Sequence, residues 1–263
     1  MTPLYAGIGG VTRELTEMHT GINGVVTPLT EMWAGVGGVN RQIFSTDTPA
    51  GDLVVGDTVS LNVNGAPTDF IVVNQGRPSS MYDESCDGTW LLMQDCYESR
   101  QWDDASPNSN DYENSTINNY LNTTFLNLFE SNIRDAIKQV KIPYRKGAGT
   151  DKTVTSGSSG LSTKIFLLSS TEVNLVHGFE PTNEGACLSY FSGTAQNGSD
   201  TKRVAKLNGS AAEWWLRSPW CYSSSSSSET GLIVLSNGGW SNSRCRRAWG
   251  IRPALVLPYE TII

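Results

Sequence analysis

Residues 213–257 read EWWLRSPWCYSSSSSSETGLIVLSNGGWSNSRCRRAWGIRPALVL, and two kinds of sequence alternate along them. WWLRSP (Trp214–Pro219), LIVL (Leu232–Leu235) and GIRPALVL (Gly250–Leu257) are aromatic, β-branched or leucine-rich runs, and they read as strands of a buried core. Between them lie CYSSSSSSE (Cys221–Glu229) and WSNSRCRRAW (Trp240–Trp249). These have no hydrophobic period and combine small hydroxyls, amides, arginines and aromatics, the mixture that an adaptable binding surface uses. The sequence therefore predicts framework strands that hold display segments. The plain alternative is a pair of polar surface loops.

Working outward, the 263-residue chain carries a net charge of −7 and only 17% charged residues, with abundant Ser, Asn, Thr and Gly. That length can bury a sizeable core without staples. The acidic balance argues against nucleic acid as the main partner, although Arg244, Arg246, Arg247 and Arg252 make the C-terminal stretch locally basic. Five cysteines, Cys86, Cys96, Cys187, Cys221 and Cys245, are an odd number with no CxxC pair, which points to free thiols. No apolar run is long enough to span a bilayer and no secretory leader is recognisable, so the expectation is a soluble chain without membrane insertion.

The first 43 residues repeat every fourteen: LYAGIGGV from Leu4, MHTGINGV from Met18 and MWAGVGGV from Met32. Apolar residues from Leu4 to Ile43 fall alternately four and three apart, as in a coiled-coil seam, while eight glycines and Pro28 oppose a lone helix. The expectation is a coiled-coil-like oligomerising stem over residues 1–45, with a homotrimer formed through residues 4–43. After the polar STDTP (Ser45–Pro49), residues 46–263 read as a mixed α+β head. Asn64-Gly65 marks a hairpin, and Ser115 and Ser131 are expected caps of two helices within residues 115–140.

Catalytic machinery is sparse in this sequence. His19 and His177 are the two histidines, and neither has an evident Ser or Cys partner for a triad. The acidic clusters Asp83/Glu84/Asp87 and Asp103/Asp104/Asp111 do not follow a calcium-loop spacing and read as solvated loops. The expectation is a non-enzymatic chain without cofactor or metal.

WWLRSP at 214–219, GIRPAL at 250–255 and IFLLSSTEV at 165–173 together resemble the DUF6273 domain family, found in gut bacteria and their phages. The C-terminal ending is also similar to the C-type lectin-like variable proteins of phage diversity-generating retroelements, in which adenine-directed mutagenesis rewrites Asn-type codons on one ligand-binding face. That resemblance implies a C-type lectin-like head with a variable face at residues 220–249, carried on a phage virion. The implied partners are a bacterial surface receptor, protein or glycan, and other virion proteins at the N-terminus. It also accounts for CYSSSSSS and SNSRCRR, because Ser, Tyr, Cys, Arg, Asn and Asp are all reachable from an Asn codon at its adenines. Trp is not reachable in that way, so Trp220, Trp240 and Trp249 are framework or come from other codons.

The candidate ligand-binding residues follow. Tyr222, Trp220, Trp240 and Trp249 are expected to supply contact area, and Arg244 and Arg246 to meet anionic groups. Ser223, Ser224, Ser226, Ser228, Ser243 and Asn242 are expected to supply adaptable hydrogen bonds. Arg217 and Arg252, inside the framework motifs, are expected to pair structurally with Glu213. The rival readings are an oxidoreductase of the formylglycine-generating type, which would need Cys221 and Cys245 together as a reactive pair, and a virion decoration protein with no receptor.

Overall fold

A computed structural model describes residues 48–105, 107, 109–147, 153–175, 183–221 and 227–263, together with the backbone of six strands nearer the N-terminus. The chain divides into two compact units, one of Met1–Pro49 with Ile262–Ile263 and the other of Ala50–Thr261.

In the first unit the fourteen-residue repeat is three antiparallel hairpins. β1 (Tyr5–Ile8) pairs with β2 (Val11–Glu14), β3 (His19–Ile22) with β4 (Val25–Pro28), and β5 (Glu31–Val36) with β6 (Val39–Ser45). No helix is present in these strands, and the expected coiled-coil stem is overturned. The reason lies in the two residues between the strands of each pair, Gly9-Gly10, Asn23-Gly24 and Gly37-Gly38. Gly-Gly and Asn-Gly are the dipeptides that favour two-residue hairpin loops. Ile8 faces Val11, Ile22 faces Val25 and Val36 faces Val39 across the three pairs, so the apolar residues taken for a heptad seam flank those dipeptides.

The second unit is built on two sheets. In the first, β7 (Thr58–Val63), β8 (Ala66–Gln75) and β9 (Thr89–Met93) form an antiparallel meander, and the C-terminal strand Ala254–Leu257 completes it beside β9. Asn64 and Gly65 close β7 onto β8 with φ of 54° and 74°, the double positive φ that a type I′ hairpin demands. β9 is buried along its whole length, as TWLLM implies.

The second sheet has the order β10 (Ser99–Gln101), β14 (Ala248–Gly250), β11 (Trp214–Pro219), β12 (Thr230–Val234), β13 (Trp240–Arg244). Its only parallel pairing among the described residues joins β11 to β14, and the C-terminal strand of the first sheet, Ala254–Leu257, is β15. All six residues of β11 and all five of β12 are buried, as continuous apolar runs enclosed on both faces should be.

The expectation of an α+β, C-type lectin-like head is also corrected. Strand accounts for about 35% of residues and helix for 17%. The α-helices among the described residues are α1 (Thr116–Tyr120) and α2 (Ser131–Ala136), too short to form a layer against either sheet. The helical spacing over residues 115–140 is broken where α1 runs into a π-turn at Leu121–Phe125. Ser115 caps α1, its hydroxyl accepting from the Asn118 amide at 3.2 Å. Ser131 is not a cap: Glu130 holds that position and Ser131 is the first helical residue. KIFLLSSTEVNLV, expected as a strand followed by a short helix or turn, joins no sheet as a strand among its described residues: its first half touches β15 through a single bridge between Phe166 and Ala254, and residues 170–174 form a turn. Among the described residues no helix is long and apolar enough to cross a membrane.

Candidate functional site

β13 is an edge strand, and its neighbour β12 is entirely buried, so the sheet ends in a row of side chains that can change without entering the core. Trp240, Asn242 and Arg244 alternate along β13 with Ser241 and Ser243, which places the two sets on opposite faces of the sheet. Asn242 and Arg244 are exposed, whereas Trp240, Ser241 and Ser243 are half-buried. Trp220 leaves the end of β11 and is held by its amide, which donates to the Thr230 carbonyl at 2.8 Å. Its indole stacks on that of Trp240, with ring centroids 6.0 Å apart and planes 29° from parallel.

Beyond β13 the chain turns sharply, the Arg247 amide donating to the Arg244 carbonyl. The Cys245 amide donates to the Glu229 carbonyl at 2.8 Å, and its carbonyl accepts from the Asp103 amide at 3.2 Å. Cys245 is buried at this anchor while Arg244, Arg246 and Arg247 point to solvent, with no ion-pair partner among the described residues. The result is a fixed backbone that presents three cations, an amide and the edge of an indole pair. Such a surface suits anionic or polar groups combined with a flat apolar face.

The sequence-predicted set is therefore split. Trp220, Trp240, Asn242 and Arg244 share the edge, and Arg246 sits in the turn that follows. Trp249 and Ser243 belong to the other face, where the Trp249 indole N–H donates to the Ser243 hydroxyl at 2.7 Å. That bond ties β14 to β13 and makes the pair a strut. Ser228 is half-buried and its carbonyl accepts from the Asn110 amide, a loop-fastening role. Tyr222, Ser223, Ser224 and Ser226 lie outside the described residues.

The framework arginines differ from expectation. Arg217 pairs with Glu172, not Glu213, through two bonds of 2.5 and 2.7 Å, and Glu184 lies 3.7 Å from its Nε. All three side chains are fully buried. Burial alone would lower the Arg217 pKa, but the charges of Glu172 and Glu184 outweigh it and raise the value. Tyr82 donates to Glu172 at 2.8 Å, and Ser218 donates to Glu184 at 2.5 Å. Arg252 has no carboxylate partner at all among the described residues. Sequence proximity misled here; the available signal was one carboxylate, Glu172, inside the apolar IFLLSSTEV and one cation inside the apolar WWLRSP, since charges in such runs need each other.

No disulfide joins the five cysteines among the described residues, and Cys221 and Cys245 are both buried. Burial pushes the Cys245 thiol well above its ordinary value, with Asp103 adding to the shift, so it stays protonated and is a poor nucleophile or metal ligand. Among the described residues no three or more His, Cys, Asp or Glu side chains gather as a metal site, the two acidic clusters included. Asp83 instead caps a short 3-10 turn, and Asp103 accepts from the backbone of its own loop. The side chains of His19 and His177 lie outside the described residues.

The family model of DUF6273, a domain of unknown function, matches residues 87–259, about two thirds of the chain and nearly all of both sheets beyond β8. No curated protein and no solved structure matches the chain.

Proposed function

Because this chain belongs to the DUF6273 family, whose description assigns no activity, we propose its function from the exposed edge: it is a non-enzymatic phage attachment protein of the tail-fibre type. In this reading the β13 edge, the Trp220–Trp240 pair and the Arg244–Arg247 turn contact a receptor on the bacterial surface. The observation that carries it is the division of labour between β12, wholly buried, and β13, whose alternate side chains are exposed on a strand pinned at both ends. The resemblance of the C-terminal ending to the variable proteins of diversity-generating retroelements supports the same view. A scaffold for diversification needs positions where substitution changes the surface and spares the core, and Asn242, Arg244, Arg246 and Arg247 meet that requirement.

The test replaces those four residues together with Ser in the full chain and measures binding to host cells. Each exposed substitution is expected to change stability by within about 0.5 kcal/mol, so the thermal midpoint stays close to that of the wild type. Binding is expected to fall by about tenfold or more, because arginines at the centre of a contact are common hot spots. Unchanged binding by a folded variant would sink the reading.

The chain is further proposed to self-associate, with a homotrimer as the expected state and other virion proteins at the N-terminus, through the open edges of the hairpins of residues 5–45 in place of a coiled-coil seam; several copies at one surface would multiply weak affinities. Light scattering is expected to give three times the chain mass for the full protein and a single chain mass when residues 1–45 are removed. Equal monomeric masses would refute this self-association.

A further inference from the structure

Arg203, Arg217 and Arg252 are buried together with their guanidinium groups, yet they are satisfied very differently. A guanidinium has five N–H donors. Arg203 makes five bonds, to the carbonyls of Gly238, Val173, Ala195 and Gly198 and to the Thr194 hydroxyl. Arg217 spends its donors on Glu172 and on the carbonyls of Pro143 and Leu167. Arg252 makes one hydrogen bond among the described residues, from Nε to the Met93 carbonyl at 2.7 Å. Among the described residues its Nη1 is buried with no partner, and its Cζ lies 5.1 Å from the centre of the Trp214 ring. A buried cation left in this condition is costly unless something else completes it.

The Arg252 side chain lines a cavity of about 340 Å³ whose other walls come from the β7–β8 hairpin (Thr58, Ile71), the segment after β9 (Gln94, Asp95) and the stretch containing Tyr190, Thr201, Lys202 and Lys206. Three cations thus face one carboxylate, and that carboxylate is engaged, Asp95 accepting from the Lys206 amide at 2.8 Å. Lys202 is steered over the Tyr190 ring at 5.1 Å, with its ammonium donating to the Tyr190 carbonyl. Hydroxyl and amide groups from Thr58, Thr201 and Gln94 complete a mainly polar lining, with Ile71, Val204 and Tyr190 supplying its apolar part.

We infer that this cavity is a binding site for a small polar anion, whose carboxylate or phosphate oxygens complete the Arg252 guanidinium between Lys202 and Lys206. A carboxylate or phosphate oxygen is a charge-assisted acceptor that suits a buried guanidinium whose Nε alone is paired, to the Met93 carbonyl. The volume suits a ligand the size of an acidic monosaccharide. The desolvation that pulls the Arg252 pKa down to about 10 is relieved when an anion sits beside it, in agreement with the geometry. The site shares no residue with the β13 edge and stands whether or not that edge binds a receptor.

Calorimetric titration of the full chain with inorganic phosphate, with glucuronate and with glucose tests the site. At least one of the two anions is expected to saturate at one equivalent, and glucose to give no heat; the anion that saturates tells phosphate from carboxylate. Lys202 and Lys206 are exposed, so Lys202→Gln/Lys206→Gln is expected to fold normally and bind about tenfold more weakly, with Arg252→Gln abolishing binding if it folds. Absence of saturation by either anion, glucose binding as well as they do, or an unchanged affinity in the double lysine variant would each overturn the assignment.

Discussion

Replacing Arg217 by Met is expected to destabilise the head by about 3–5 kcal/mol, a large share of the 5–15 kcal/mol typical of a whole domain. The side chain itself is not the main loss, since Met fills much of the same space. What remains is Glu172, fully buried, with its bidentate partner gone and Tyr82 and the Ser169 amide still directed at its two oxygens. Glu184 loses the same cation at 3.7 Å and keeps the Ser218 hydroxyl. The Arg217 side chain also releases the carbonyls of Pro143 and Leu167, which have to find other donors in a dry interior. A urea titration followed by circular dichroism reads the effect as a fall in midpoint at constant slope. Arg217→Met combined with Glu172→Met is expected to recover a substantial part of the loss, because removing both charges of a buried pair costs far less than removing one. An Arg217→Met midpoint equal to that of the wild type would show that the pair does not hold the sheet to the IFLLSSTEV segment.

That ion pair also marks how far the sequence could be read. WWLRSP, LIVL and GIRPALVL were legible as core strands because composition and length are local properties, and Asn64-Gly65 announced its hairpin in the same way. The partner of Arg217 was not legible, because Glu172 lies 45 residues away and nothing in a periodicity couples the two positions. The first 45 residues are ambiguous for a different reason. A four-and-three spacing of apolar residues satisfies a heptad, but it is equally produced by a fourteen-residue hairpin unit, and the Gly-Gly and Asn-Gly dipeptides favour the hairpin. The helical spacing over residues 115–140 was real but local, interrupted by a π-turn, and it carried too few residues to make a helical layer. For the candidate face, composition marks the region but does not sort it into exposed and half-buried positions. Only the alternation along β13 separates Asn242 and Arg244 from Ser243, and only the bond to Trp249 shows that Ser243 is a strut. The cavity at Arg252 draws on four segments spread from Gly56 to Arg252 and leaves no local trace in the chain.

Trp102→Ala is expected to cost about 3–5 kcal/mol, and its cause can be isolated with a glycine on the neighbouring strand. Trp102 is fully buried between Tyr112 and Trp215, edge-on to both, with ring centroids 5.7 and 5.4 Å away. It lies flat enough over β12 that a Cβ built on Gly231 would stand 2.4 Å from its Cζ3 and 2.5 Å from its Cε3. Gly231 is therefore required by the indole and not by its backbone, since its φ is outside the positive region. Gly231→Ala alone is expected to destabilise by about 1–3 kcal/mol through overpacking. In the Trp102→Ala background the same change meets an empty space, and a strand alanine loses less conformational entropy on folding than a strand glycine, so it is expected to be neutral or stabilising. The double-mutant cycle then shows a coupling of about 1–3 kcal/mol, against a few tenths for independent sites. Trp102→Phe separates shape from polarity: the indole N–H is buried without a partner among the described residues, so the smaller ring gives up volume but also removes an unsatisfied donor, and it is expected to cost clearly less than alanine. Additive losses in the cycle, with no coupling between Trp102 and Gly231, would mean that the indole does not set the packing of β12 and that the burial of the whole strand has another origin.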